Sequence, residues 1–426
     1  MKFILEEKKG FAAFFVTILV MTTMIGIAVS ISLLTVSEYK ILRGLNNSTQ
    51  AYYAAESGIE DIVMRISRSK SWSPSYSFDC GASNVSVQVS DPVGGSRTIT
   101  SQGDLSGASR RVRTVYAIST EEISFYYGAQ VGDGGMLMAN NARIRGNIYS
   151  NGSILPAKGG DKGIIDDTVI VANNGNRIEG LQVGQNAKAH TCKDSIITGS
   201  LTYVAGGSIE NCVAGETIDS QPNEILPKDL PISQDQIDRW KQDAEEGGVI
   251  EGDYEIPIGV TVNLGLKKIT GNFTINNNAT LNMTGVVWVV GNLAVMNGST
   301  IKLDHSSFGS LSGMIITDGK VEVRPGAVLQ GSGEPESYLL LLSTNPEISD
   351  TTSPAIDVDN NADAAIFYAS EGLIVMRNNI QAREVTGYKV YLDNNAEIIY
   401  ESGLEEASFT SGPGGSWELA NWREIE

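Results

Sequence analysis

The chain has 426 residues, which is enough for more than one domain, and a formal net charge of −19. So acidic a composition is unsuited to nucleic acid, which selects basic surfaces, and we expect no nucleic-acid partner. With 41% apolar residues and only three cysteines, it also excludes a disordered chain and a disulfide-dense scaffold.

An uncharged apolar segment dominates the N-terminal part of the chain. It runs from Phe11 to Ser37 and follows a Lys8-Lys9 pair. As a helix it would be about 40 Å long, which exceeds the ~30 Å hydrocarbon core of a bilayer. It is too long for the apolar core of a cleaved secretory signal, and a core helix of a soluble protein would show a polar face. We therefore predict a single-pass membrane helix with a cytoplasmic N-terminus and an exported body.

The next segment, residues 38–67, continues as an amphipathic helix. Glu56, Glu60 and Asp61 lie on one side, and apolar residues recur on the other at three- and four-residue steps. The apolar positions are Ile41, Leu42, Leu45, Tyr52, Ala55, Ile59, Ile62, Val63 and Ile66. We expect one long helix over residues 11–67, with its front in lipid and its rear packed on the protein.

Two motifs in this region resemble those of a known family. Residues 8–11, Lys-Lys-Gly-Phe, stand before a long apolar helix and are similar to the processing site of type IV prepilins. Residues 51–61, AYYAAESGIED, resemble the segment that follows the membrane helix in PilX-type minor pilins. The resemblance of these motifs covers about residues 1–67.

This resemblance implies a processing event and a set of partners. Residues 1–10 would be a leader, removed by prepilin peptidase between Gly10 and Phe11, and the new N-terminus would be methylated. The partners would be other pilin-like subunits and the pilus assembly machinery. Major pilins carry a glutamate early in the mature helix, and this chain has Phe15 there. The resemblance therefore implies a minor or tip subunit.

Residues 68–120 are expected to form a small antiparallel β domain. Residues 69–77 are rich in Ser and predict a loop. Alternating patterns over residues 84–90, 97–101 and 111–119 predict three strands that pack on the rear of the helix. This arrangement is similar to a small pilin head, and a generic meander without any pilin relationship is the alternative.

Residues 121–426 show short apolar stretches between turns that look alike. The turns contain Asn140-Asn141, Asn277-Asn278, Asn297-Gly298, Asn360-Asn361, Asn378-Asn379 and Asn394-Asn395. Neighbouring copies are 20 (297 − 277), 18 (378 − 360) and 16 (394 − 378) residues apart. Repeats of this length with short strands predict a coil of stacked rungs, a β-solenoid. Asn and Gly suit the left-handed backbone of rung corners, and Asn side chains can also stack in ladders.

The predicted fold is therefore mainly β. A long pilin-like helix precedes a small antiparallel sheet and then a parallel, right-handed β-helix over residues 121–426, similar to bactofilin-like or pectate-lyase-like solenoids. Near-continuous apolar runs at residues 286–290, 313–317, 338–342 and 364–368 fit buried parallel strands. A β-sandwich is the alternative, although it would not explain the repeated corners.

A helix is predicted within the solenoid at about residues 233–246. Ser233 and Gln236 form a capping box, and Ile237, Trp240 and Ala244 form an apolar stripe. We expect this helix to pack on the side of the solenoid or to cover one end, because open ends expose strand edges.

The three cysteines are Cys80, Cys192 and Cys212. The interval between the last two equals the longest of the corner intervals above, which corresponds to one rung. Equivalent positions on neighbouring rungs lie about 4.8 Å apart, within the Cα range of a disulfide. For an exported body we predict a Cys192–Cys212 bridge and an unpaired Cys80, with two buried thiols as the alternative.

No catalytic, cofactor-binding or metal-binding residues are predicted. The two histidines, His190 and His305, have no second ligand nearby in sequence. Residues 357–363 imitate the front of a calcium loop, but Ala362 replaces the required glycine and Tyr368 replaces the closing glutamate.

Paired carboxylates at Asp166-Asp167 and Glu405-Glu406 are expected by chance among 50 acidic residues. The tail residues Trp417 and Trp422 are expected to cover the last rung, with sugar stacking as the alternative.

Together these patterns predict a non-enzymatic, pilus-like minor or tip subunit that presents a β-helix outside the cell for adhesion or filament assembly. Three alternatives stay open. They are a membrane-tethered carbohydrate-binding or adhesion module, an extracellular carbohydrate-cleaving β-helix, and a bactofilin-like polymer built by solenoid stacking.

Overall fold

A computed structural model describes residues 7–67, 72–90, 97–118, 121–123, 125–359, 365–412 and 417–425. Its α-helices are α1 (Glu7–Ser67), α2 (Gln234–Glu246) and α3 (His305–Phe308), and a 3-10 helix covers Ser402–Glu406. The strands before the solenoid are β1 (Ser75–Cys80), β2 (Ser83–Val89), β3 (Arg97–Leu105), β4 (Ala108–Ile118) and β5 (Glu121–Glu122).

The remaining strands form a large body and a C-terminal extension. The first group, called the N-terminal stack (residues 129–221), comprises β6 (Ala129–Met138), β7 (Arg143–Arg145), β8 (Ile148–Ser150), β9 (Ile154–Pro156), β10 (Gly163–Ile165), β11 (Val169–Val171), β12 (Arg177–Glu179), β13 (Leu181–Val183), β14 (Ala187–Ala189), β15 (Thr191–Lys193), β16 (Ile196–Ile197), β17 (Leu201–Val204), β18 (Ile209–Glu210), β19 (Val213–Ala214) and β20 (Ile218–Gln221). The second group, called the C-terminal stack (residues 249–399), comprises β21 (Val249–Ile250), β22 (Tyr254–Ile256), β23 (Thr261–Leu264), β24 (Lys267–Ile269), β25 (Phe273–Ile275), β26 (Thr280–Met283), β27 (Val287–Val289), β28 (Leu293–Val295), β29 (Thr300–Leu303), β30 (Gly313–Thr317), β31 (Val321–Val323), β32 (Val328–Gln330), β33 (Leu339–Ser343), β34 (Ile356–Val358), β35 (Ile366–Met376), β36 (Gln381–Ala382), β37 (Glu384–Leu392) and β38 (Glu397–Ile399). The chain ends with β39 (Ser408–Phe409) and β40 (Trp417–Ile425).

The predicted fold class is confirmed: a long helix, a small antiparallel sheet and then large parallel sheets. The small sheet has the order β1-β2-β3-β4-β40, with every neighbouring pair antiparallel. Two expectations for this region were wrong. Residues 75–77, the end of the loop expected at residues 69–77, belong to β1, and the tail forms β40 beside β4 instead of covering a rung. The solenoid is therefore inserted between two neighbouring strands of the small sheet.

The body is a coil whose turns each supply up to three short strands, one to each of three faces. In one turn β24 pairs with β27 on the first face, β25 with β28 on the second and β26 with β29 on the third, all parallel. The alternate side chains that point inward form one continuous apolar core along both stacks. This is the ladder pattern of a β-solenoid.

The order of the turns along the body differs from their order in the sequence. The last turn of the C-terminal stack lies on the first turn of the N-terminal stack, because β37 pairs in parallel with β6 and β38 with β7. We call this contact the internal joint. The linker at residues 222–248 therefore runs back along the side of the body from one end of the stack to the other.

The corners are built as the repeated asparagines predict. Asn141, Asn278, Asn379 and Asn395 have φ values of 60°, 56°, 58° and 56°, and Gly298 has 65°. Each is the second residue of its pair, where the left-handed backbone turns the chain into the next face. The pair Asn360-Asn361 lies outside the described residues.

Side-chain ladders form at a different corner from the one predicted. The Asp253 carboxylate accepts the Asn272 backbone N–H at 2.7 Å, the Asn272 amide oxygen accepts that of Asn292 at 2.9 Å, and Asn292 accepts that of Lys320 at 2.8 Å. These residues lie just before the strands of the second face. At the paired-asparagine corners the turns are joined through the backbone, as in Asn278 N–H to the Asn297 carbonyl at 3.1 Å.

A second apolar core lies outside the coil on the first face. Helix α2 is capped by Ser233 and Gln236 as its sequence predicts, and it buries Ile237, Trp240 and Ala244. The 3-10 helix and β39 contribute to the same layer. Helix α2 thus packs on the side of the solenoid, beside β24 and β27, and leaves the ends of the body uncovered.

Candidate functional site

The rear of α1 docks on the small sheet through a face of small residues. Ala51, Ala54 and Ala55 are buried, and a Cβ placed on Gly103 of β3 would stand 2.1 Å from the Ala51 carbonyl oxygen. A Cβ on Gly58 would stand 2.2 Å from the hydroxyl oxygen of Ser101. The helix and the sheet therefore approach closely only because these positions lack large side chains. The motif at residues 51–61 has a packing role that the apolar stripe alone did not reveal.

A polar group closes this contact at the end of the helix. The Asp61 carboxylate accepts a hydrogen bond from the Tyr76 hydroxyl at 2.8 Å and from Arg65 Nε at 2.7 Å. Partial burial, with the Asp61 carboxylate as its hydrogen-bond partner, raises the pKa of Tyr76 above its ordinary value. Ile59 and Ile62, on either side of this group in the helix, are fully buried against the sheet.

The front of α1 is exposed in the described chain. Side chains of residues 12–46 are all exposed, including Leu33 at 67% and Leu45 at 63%. The predicted stripe was therefore wrong for Ile41, Leu42 and Leu45, because the buried part of the helix begins only at Ala51. Among the described residues, α1 is the helix that is long and apolar enough to cross a membrane.

The hydroxyl groups of the front half are satisfied within the helix itself. Thr17 donates to the Ala13 carbonyl at 2.6 Å, and Ser30 donates to the Gly26 carbonyl at 2.9 Å. Thr22, Thr23 and Thr35 donate to carbonyls three or four residues earlier in the same way. Such internal bonds leave the surface of the helix effectively apolar, which is what a hydrocarbon environment requires.

Gly10 and Phe11, the predicted processing residues, lie in the first turns of α1. Residues 1–6 of the predicted leader lie outside the described residues. The peptide bond between Gly10 and Phe11 therefore precedes the exposed apolar front directly, and cleavage there would leave that front at the new N-terminus.

The sulfur atoms of Cys192 and Cys212 are bonded at 2.01 Å, with their Cα atoms 6.2 Å apart. The rung argument that led to this pair was wrong in its register. Cys192 lies beside Ile209 of the next turn, and Cys212 follows only at the corner beyond that strand. The local turn is shorter than the spacing of the two cysteines, so the bridge joins a strand to a corner. Cys80 is a free, half-buried thiol in β1.

The residues considered for chemistry are dispersed in the structure. Arg143 forms a bidentate ion pair with the Asp166 carboxylate. Asp167 accepts a hydrogen bond from Gln185 at 2.8 Å. His190 lies 3.8 Å from Glu224. Within the described ranges, no three His, Cys, Asp or Glu side chains form a group that could hold a metal.

The remaining candidates have structural partners or lie outside the described residues. His305 lies 3.5 Å from Glu334. Asp357 pairs with Arg377 at 2.7 Å, and burial raises its pKa in spite of that partner. Residues 360–364 of the calcium-like loop and the side chains of Glu406 and Trp417 are not among those described.

Comparison with known proteins gives little further information. No family model matches the chain. No curated protein matches it either. The crystal structure of the competence-associated pilin ComZ from Thermus thermophilus aligns with a TM-score of 0.28 and 9% sequence identity, over 89% of this chain and 97% of that one. A TM-score of this size does not indicate a shared fold.

Proposed function

We propose that the chain is a non-enzymatic, type IV pilus-related subunit of the PilX-type minor class that presents its solenoid outside the cell. One observation carries the proposal, namely the division of α1 into two parts. Residues 12–46 form an exposed apolar rod, and residues 51–62 are fixed to the small sheet. A helix of this kind joins an apolar environment to a folded head.

The mechanism is mechanical. In the membrane, the apolar rod is solvated by lipid, and its backbone and hydroxyl groups are satisfied internally. After cleavage at Gly10, the same surface can leave the bilayer and pack against the equivalent helices of other subunits through van der Waals contact and apolar burial. The rigid attachment at residues 51–62 passes each displacement of the rod to the solenoid. A head with an inserted solenoid would crowd a helical lattice, which supports a minor or tip position and agrees with Phe15 at the position where major pilins have glutamate.

The decisive experiment is to determine the N-terminus of the mature protein. Intact-mass and peptide mass spectrometry of membrane fractions should find a chain that starts at a methylated Phe11. Gly10→Glu should keep the full-length chain. Gly26→Ala is the matched control, since a Cβ at Gly26 would meet nothing within 4 Å, and it should be processed normally. Recovery of the native chain with Met1 intact would refute the prepilin pathway.

A second candidate is a membrane-tethered carbohydrate-binding module. An open groove of about 400 Å³ follows the second face of the solenoid, and it is lined by polar residues that include Asp253, Asn272, Asn292 and Glu322. Stacked amide and carboxylate groups of this kind offer regularly spaced hydrogen bonds to a polymer. Binding to a polysaccharide panel that is lost in Asn272→Ala with Asn292→Ala would favour this function, and cleavage of the polymer would favour an enzyme.

A further inference from the structure

A buried carboxyl group lies at the internal joint without a charged partner. Glu384 of β37 is fully buried, and it points away from the coil because its neighbour Val385 points into the coil core. Its Oε1 accepts a hydrogen bond from the Thr386 hydroxyl at 2.5 Å, and its Oε2 has no partner among the described residues. Burial of a polar atom without a partner is costly, and Ile366 fills the paired position in the next turn without that cost. Such departures from packing rules are typical of functional sites.

The register of the joint places a carboxamide beside this pair. Thr386 lies directly opposite Gln130 of β6 in the parallel ladder. The neighbours Val385 and Ala129 point into the coil core, so both side chains lie on the outer side of the first face. Paired strands are about 4.8 Å apart, which brings the Gln130 Cδ within reach of the Thr386 hydroxyl through the flexible Gln130 side chain. The two residues belong to different stacks and are 256 (386 − 130) positions apart in the sequence.

The group is shielded from water. Thr386 is fully buried, and Gln130 is 7% exposed. Tyr368 lies beside Thr386 on one side of the pair. Tyr149 lies beside Gln130 on the other side. The linker passes over this row, and its Asp229 carbonyl accepts a hydrogen bond from Gln130 Nε2 at 2.6 Å. An ester formed at this position would therefore be protected from hydrolysis.

We propose that Thr386 and Gln130 form an intramolecular ester that joins the two stacks covalently. The nucleophile is the Thr386 hydroxyl oxygen, and the electrophile is the carboxamide carbon of Gln130. Glu384 is the catalytic residue, because it already touches the reacting hydroxyl and can move its proton. The ester would secure the one contact of the solenoid at which neighbouring turns are not consecutive in the chain.

The reaction exchanges an amide for an ester and needs neither an oxidant nor a reductant. Thr386 Oγ1 bonds to Gln130 Cδ while its proton passes to Glu384 Oε1. The Cδ–Nε2 bond of Gln130 then breaks, and the proton carried by Glu384 Oε2 goes to the leaving nitrogen. The products are the ester, one molecule of ammonia, and Glu384 in the protonated form in which it began. Ammonia escapes to bulk water and is protonated there, which draws the exchange forward.

The surroundings of Glu384 suit this role. Burial raises its pKa well above the ordinary value, so the carboxyl keeps its proton at neutral pH. A protonated carboxyl can accept a proton at one oxygen and donate one from the other, and it then carries no net charge in the apolar core. The phenols of Tyr368 and Tyr400 lie close enough to feel its charge, and burial raises the pKa of both, so they stay neutral as well.

The test is intact-mass spectrometry and peptide mapping of the full chain, purified in detergent micelles and then denatured. The wild-type chain should be lighter than its sequence by one ammonia molecule, and one cross-linked peptide pair should contain Gln130 and Thr386. Thr386→Val lacks the nucleophile and Gln130→Met lacks the electrophile, so both should show the full mass, as should Glu384→Gln. Thr317→Val is the matched control. Thr317 is also a buried hydroxyl without a described partner, but it lies beside Ser343 instead of an amide, and its variant should keep the deficit.

A wild-type chain of full mass would overturn the proposal. So would a deficit that persists in Thr386→Val, because Asn-Gly sequences such as Asn151-Gly152 also lose ammonia when they form a succinimide. A complete ester in Glu384→Gln would overturn the catalytic role given to that residue. Unchanged circular dichroism of each variant will show that the solenoid is intact. Cleavage at Gly10 changes the wild type and the variants equally, so the result is independent of the prepilin pathway.

Discussion

Replacement of Gly103 by alanine is expected to loosen the contact between α1 and the small sheet. The new Cβ would stand 2.1 Å from the Ala51 carbonyl oxygen and 2.8 Å from the Ala55 nitrogen, and both are backbone atoms that cannot rotate away. Ordinary contacts of a Cβ atom begin near 3.4 Å. The helix must therefore move away from β3 by roughly the difference between this distance and 2.1 Å. A gap of about 0.5–1 Å already removes a quarter to a half of a dispersion contact. Alanine has a slightly higher strand propensity than glycine, which offsets a small part of this cost. We therefore expect the docking of α1 on the small sheet to lose about 2 kcal/mol of stability.

The assay is hydrogen exchange of the full chain in micelles, read at the amides of residues 51–62 and of β3. A loss of about 2 kcal/mol in local stability should accelerate their exchange roughly 30-fold, while amides of the solenoid core keep their protection. The matched control is Gly44→Ala, where a Cβ would meet nothing within 4 Å and where helix propensity favours alanine. Unchanged protection at residues 51–62 in Gly103→Ala would refute the close-packing account.

Two further predictions concern the solenoid. Glu384 is fully buried and its second oxygen lacks a hydrogen-bond partner, so burial raises its pKa well above the ordinary value although Thr386 donates to it. The unfolded carboxyl loses its proton near pH ~4.3 and the folded one only at much higher pH, so the free energy of unfolding should fall as pH rises through this window. Glu384→Gln should remove this pH dependence in denaturant titrations run from acid to mildly alkaline pH. An equal pH dependence in the wild type and the variant would contradict the burial argument. Replacing Cys192 and Cys212 by alanine opens the loop that the bridge closes and should lower the stability of the terminal turn by about 3 kcal/mol. This loss should appear as faster hydrogen exchange over residues 209–221. Two free thiols in the native protein would show that the bridge does not form.

Local sequence patterns predicted much of the fold because they reflect the backbone and packing preferences of a few neighbouring residues. The paired asparagines mark corners since their second residue must adopt a positive φ, and Asn141, Asn278 and Asn395 do so. The capping box at Ser233 sets the start of α2 for an equally local reason. Apolar strands between corners predict parallel stacking, because a short strand with no helix to cover it must bury its side chains against copies of itself.

Less of the candidate site than of the fold could be predicted from the sequence. The apolar stripe on α1 was extended too far forward, to Leu45, since periodicity shows which face is apolar and not how far a partner reaches. Gly103 carried no signal at all, because its role depends on a backbone oxygen of Ala51, which is distant in sequence. The register of Cys192 and Cys212 was misplaced because the turn from Cys192 to Ile209 is shorter than the assumed rung, and an average repeat does not reveal the length of one turn.

The sequence by itself determined the elements of this protein: an apolar rod, a capped amphipathic helix, and a series of equivalent turns with asparagine corners. Only the tertiary structure decided how these turns are ordered, with β37 lying on β6, and how β40 closes the small sheet across the inserted solenoid. The physical reason is that equivalent turns offer nearly equivalent surfaces, so a repeat pattern does not state which turn lies on which. The order of the turns is therefore set by non-local contacts, which only the folded chain brings together. Here these contacts are made in the outer core built by α2, β39 and the linker.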